Sequence, residues 1–118
     1  MEGIAVLAEA LTAMNSGGEE RFYEPELYRL KGELLLALSP QNQAEAEVCY
    51  RQAVEAARRQ SARSLELRAV RSLSRLWQRQ GKRQRACQLL VERYGWFTEG
   101  FETPDLQEAR ALLDELSS

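Results

Sequence analysis

Residues 62–94 read ARSLELRAVRSLSRLWQRQGKRQRACQLLVERY, and the spacing of apolar residues in this stretch decides the fold. Leu65, Ala69, Val70, Leu73, Leu76 and Trp77 recur mostly three and four positions apart, which gathers them into one stripe of an α-helix rather than one face of a strand. Arg68, Arg71, Arg75 and Arg79 keep the same period but fall on another side of the helix, away from Leu73 and Trp77. At Gly81 the chain can reverse sharply, because a residue without a Cβ enters the left-handed region freely. A second helical stripe follows in Ala86, Leu89, Leu90 and Tyr94. Two amphipathic helices joined by so short a turn pack antiparallel, as a hairpin.

The helical period continues in both directions. A helix over 3–15 would carry Ile4, Leu7, Ala8, Leu11 and Met14 on one face and stop at Gly17 and Gly18. The next starts near Pro25, whose fixed φ suits a first turn, presents Leu27, Leu30, Leu34, Leu35 and Leu38, and ends at Ser39 and Pro40. Asn42, with Glu45 three residues on, is placed to cap a third helix that buries Ala46, Cys49, Tyr50, Ala53, Val54 and Ala57. Beyond the hairpin, residues 95–102 form an irregular connection whose Trp96, Phe97 and Phe101 are expected to pack beneath it. Thr103 as cap, Pro104 and Asp105 then open a closing helix with Leu106, Ala109, Leu112, Leu113 and Leu116 on one face. No segment alternates with period two, so the expected class is all-α, with about six helices.

A chain of 118 residues, 44% of them apolar, can bury a single core. Its formal charge of −2 gives no global pull toward nucleic acid or an anionic membrane. The longest clear apolar run, 34–38, is far short of a membrane span, and no basic segment leads into an apolar core at the N-terminus, so a cytoplasmic protein is expected. Cys49 and Cys87 sit within helical patterns and read as reduced, buried thiols.

Chemistry is hard to place on these residues. The absence of histidine removes the commonest general base, the commonest metal ligand and the histidine-dependent nucleophile pairs. Gly17 and Gly18 lack the lysine and hydroxyl residue of a phosphate loop. Neither cysteine has a partner at zinc-site spacing. Glu19 with Glu20, Glu24 with Glu26, and Asp114 with Glu115 stand at helix ends or loops, where solvation accounts for them. A non-enzymatic chain without cofactor or metal is the expectation. The one regional bias lies in residues 51–85, where arginine and lysine far outnumber the two glutamates, Glu55 and Glu66. Nucleic-acid binding is the lesser reading of that bias, since no stacking aromatics are interleaved with the arginines.

The arrangement repeats. Ser74 and Trp77, the Gly81 turn, and Ala86 with Leu90 match the small and large positions of a tetratricopeptide repeat, although Arg93 replaces the final small residue. Gly32 and Leu35, followed by Ala46, Tyr50 and Ala53, match it again, and Gly3, Leu7 and Ala10 resemble the second helix of a preceding repeat. The stretches ELYRLKGELLLAL (26–38), AEVCYRQAVEAARRQSARSLELRAVRSLSRLWQRQGK (46–82) and YGWFTEGFETPDLQEARALLDEL (94–116) resemble the C-terminal repeat region of bacterial regulators. Those regulators join a predicted ATPase module to an adenylate/guanylate cyclase or DNA-binding output domain. The resemblance implies a short right-handed solenoid of stacked hairpins within one segment, 1–118. Residues 1–17 would end a preceding repeat, 25–60 and 62–95 would be repeats, and 103–117 a capping helix, the whole being a piece of a larger protein.

In such repeats the first helices line a concave groove. Superposing repeat positions brings Glu26, Arg29 and Glu33 beside Arg68, Arg71, Arg75 and Arg79, a groove of mixed charge with a basic centre. An acidic peptide or a C-terminal carboxylate would suit it. The arginines read equally as a solvated helix face. The implied role is protein–protein interaction or scaffolding, toward peptide segments or other domains of the parent chain. The alternative is a structural end-segment that forms a homodimer through an exposed first helix.

Overall fold

The computed structural model describes residues 23–97 and 103–117. The helix expected over 3–15, its glycine stop and Phe101 lie outside the described residues. Among the described residues five α-helices follow one another: α1 (Glu24–Leu38), α2 (Gln43–Arg59), α3 (Arg63–Arg79), α4 (Arg83–Tyr94) and α5 (Pro104–Ser117). There is no strand among the described residues, and none of these helices is long and apolar enough to cross a membrane.

The boundaries follow from local chemistry. Pro25 stands in the first turn of α1 together with Glu24 and Glu26, acids that favour a helix N-terminus. Ser39 is extended and ends α1, and its hydroxyl accepts the Gln41 N–H at 3.2 Å in the 3-10 turn Pro40–Asn42. Asn42 does not cap α2 as its spacing to Glu45 suggests. Its amide instead donates to the Leu35 carbonyl at 2.9 Å, because the 3-10 turn carries it under the end of α1, where carbonyls lack helical partners.

The turns after α2 and α3 share one geometry. The Ala62 N–H bonds the Ala57 carbonyl at 2.9 Å, the Lys82 N–H bonds the Trp77 carbonyl at 2.8 Å, and each turn places one residue at positive φ. That pattern closes the last carbonyls of a helix and suits glycine, as at Gly81 (φ 80°). In the first turn Ser61 takes the position, at φ 55°.

Each helix packs on the next, and α3 also contacts α1 and α5, whereas α2 and α4 do not touch each other. The result is two layers, α1, α3 and α5 in one and α2 and α4 in the other. Surrounded by all four other helices, α3 is buried over most of its circumference. This accounts for Leu67, which lies off the apolar stripe yet is fully buried. Among the described residues α1 is the opposite case, at one edge of its layer: Leu35 is buried, but Leu30 and Leu38 are 40% and 46% exposed.

Close helix approach depends on small residues. Gly32 lies against the fully buried Tyr50 ring, where an added Cβ would meet a ring carbon at 2.7 Å. Ala46 and Ala86 are wholly buried, and the Ser74 hydroxyl donates to the Ala86 carbonyl at 3.4 Å. Arg93, at a position where a small residue was expected, is buried against Glu66 at 2.8 Å. Glu66 accepts Arg58 as well, at 3.4 Å, and Glu24 of α1 is buried and pairs with Arg59 at 3.2 Å. Phe97 packs on the core, but Trp96 remains partly exposed, over the Arg63 and Arg93 guanidiniums at 5.6 and 4.7 Å. Of the free cysteines Cys49 is buried and Cys87 half-buried.

Candidate functional site

Ion pairs fix how the helices of the larger layer align. Arg68 of α3 reaches Glu26 of α1 at 3.0 Å on one side and Asp105 of α5 at 2.8 Å on the other. One turn on, Arg71 pairs with Glu108. Successive turns of α3 thus meet successive turns of α5, so the helices run parallel, with equivalent positions 37 residues apart in both pairs. The same parallel relation holds for α1 and α3 at a spacing of 42 residues, which is the distance from Glu26 to Arg68.

Between the three helices runs an open cleft of about 510 Å³ lined by Arg29, Glu33, Arg71, Ser72, Arg75, Glu108 and Ala111. Arg29 is held within α1 by Glu26 at 3.0 Å and Glu33 at 3.8 Å. The half-exposed Arg75 faces Glu115 at 3.6 Å. Glu26, Arg29, Glu33, Arg68, Arg71 and Arg75 therefore share one surface. Arg79 is exposed and does not line the cleft, nor does it form an ion pair among the described residues.

Three further carboxylates share this surface, Asp105, Glu108 and Glu115. A sequence signal for the first two exists, because shifting the arginine row forward by 37 residues lands Arg68 on Asp105 and Arg71 on Glu108. The cleft consequently alternates in charge rather than carrying an open basic strip.

Burial and neighbours set the ionisation of these groups. Burial works against the Glu26 carboxylate, but hydrogen bonds and charge from Arg29 and Arg68 prevail and hold its carboxyl below the ordinary value. For Arg68, the Asp105 hydrogen bond outweighs the cost of burial and secures the cation. Arg71 is pushed the other way, first by burial and then by the neighbouring Arg29, Arg68 and Arg75 cations, against the attraction of Asp105. The Tyr50 phenol beneath Glu33 is raised by burial and by that carboxylate. Such a surface can receive an anionic group through guanidinium hydrogen bonds if the ligand exchanges with an existing carboxylate partner. The exposed Glu108 and Glu115 are the partners whose release requires least rearrangement, because their side chains are already more than half in solvent.

Among the described residues no group of three or more acidic, cysteine or histidine side chains is arranged to hold a metal. No protein-family model matches the chain, and comparison with curated proteins and with solved structures likewise gives no match.

Proposed function

We propose that this chain is a non-catalytic protein–protein interaction module: a tetratricopeptide-like stack of hairpins forming a short right-handed solenoid, within a larger cytoplasmic bacterial regulator of the ATPase/cyclase type. The observation that carries the reading is the parallel layer of α1, α3 and α5, which turns equivalent positions of successive hairpins toward one cleft. Stacked hairpins present such a face repeatedly, and extended peptides are its usual occupants. The outward side of α5 supports a terminal position, since Gln107, Arg110 and Asp114 are exposed and polar, as a closing unit needs.

The cleft would take a peptide whose carboxylates displace Glu108 and Glu115 from Arg71 and Arg75. Fluorescence anisotropy with a labelled peptide ending in two glutamates and a free C-terminal carboxylate tests this. Arg75→Glu should weaken binding at least tenfold with helicity by circular dichroism unchanged. Equal affinity of the variant and the parent protein would contradict the reading.

One observation favours a second role, a structural end-segment that self-associates: Tyr23, Leu30 and Leu38 of the first hairpin are exposed apolar side chains. Nucleic-acid binding is the weaker reading, because Arg68, Arg71 and Arg75 already face carboxylates.

A further inference from the structure

The layer opposite the charged cleft contains a second recess of different character. Because α2 and α4 do not touch, the surface of α3 between them is left as the floor of a cleft of about 250 Å³. Leu73 and Trp77 form that floor, and the half-buried Val54 and Leu89 form the walls. Small-molecule pockets usually begin near ~300 Å³, so this volume fits one bulky side chain.

Charge around the recess selects what could accompany that side chain. Arg51 and Arg58 stand on the α2 rim, each about half exposed, and Glu55 is the single acidic residue lining the cleft. Arg51 is half exposed and pairs at 3.1 Å with the partly buried Glu47, whose other oxygen accepts the Trp77 indole N–H at 3.0 Å. On the α4 side the exposed Arg85 lies over the Trp77 ring at 4.3 Å and has no carboxylate partner among the described residues. We infer that this recess is a docking notch for a protein segment that inserts one aromatic or large aliphatic side chain between α2 and α4 while an adjoining carboxylate meets Arg51 or Arg85. It is separate from the cleft of α1, α3 and α5 and does not depend on what that cleft binds. An apolar anchor in a desolvated notch with arginine at the rim is the composition that concentrates binding energy in protein interfaces.

Methyl-labelled NMR of the whole chain tests the inference, with a blocked peptide of one phenylalanine flanked on each side by two glutamates as probe. The expected result is saturable shifts at the Val54, Leu73 and Leu89 methyls and the Trp77 indole N–H, with the Ala111 methyl in the other cleft unmoved. Replacing the peptide's phenylalanine by serine, or Arg85→Glu in the protein, should each weaken binding at least tenfold. No shift at millimolar peptide would overturn the inference, as would shifts centred on Ala111. Equal binding of the serine peptide, or of a single-stranded oligothymidine, would reduce the surface to a general anion binder. Shifts of the same methyls on raising the protein concentration alone would assign the notch to a second copy of the chain and equally overturn it.

Discussion

At the scale of single residues, the helix contacts turn on a few positions where size or charge is tightly constrained. Gly32 shows the first kind. In an open helix, replacing glycine by alanine stabilises by roughly 0.5–1 kcal/mol. Here the new methyl would press into the ring of Tyr50, which is almost wholly buried. Gly32→Ala is therefore expected to destabilise by about 1–3 kcal/mol in urea unfolding, and a gain in stability would show that α1 and α2 are not packed this closely. Arg93 shows the second kind. The Arg93 cation is buried because Glu66 receives it in the core and Trp96 covers it, a compensation that helical spacing alone does not register.

At the scale of elements, apolar period and proline placement made the described helices legible. Pro25 and Pro104 mark helix starts, and Gly81 marks the reversal between α3 and α4. Less was legible where a contact spans distant segments. Leu67 looks surface-facing on an isolated helix and is buried because α3 is enclosed by its neighbours. Asn42 has the spacing of a cap and is diverted to the end of the previous helix. The position of the α2–α3 turn is legible between segments 25–60 and 62–95, but its geometry is not, because no glycine announces it and Ser61 holds the left-handed position instead. A side chain in that region costs about 1–2 kcal/mol, partly offset in glycine by its larger unfolded-state freedom. Ser61→Gly should thus raise stability by roughly 0.5–1 kcal/mol in thermal or urea melts, and a loss would indicate that the serine side chain holds the turn.

At the scale of the whole molecule, the arginine row on α3 is a seam as well as a surface. Sequence placed Arg68, Arg71 and Arg75 with Glu26, Arg29 and Glu33, but the carboxylates of α5 emerged only when the closing helix was seen to lie parallel to α3. Those pairs tie adjacent helices together while leaving the outer side of the cleft open to solvent. Both the cleft and its proposed use follow from the parallel registration of α1, α3 and α5. A double-mutant cycle on Arg68 and Asp105, with Arg68→Met, Asp105→Asn and the double variant compared by urea denaturation, measures it most directly. The predicted coupling is about 1–2 kcal/mol, because the pair is bidentate and only partly exposed. A coupling indistinguishable from zero would contradict the registration of α3 against α5.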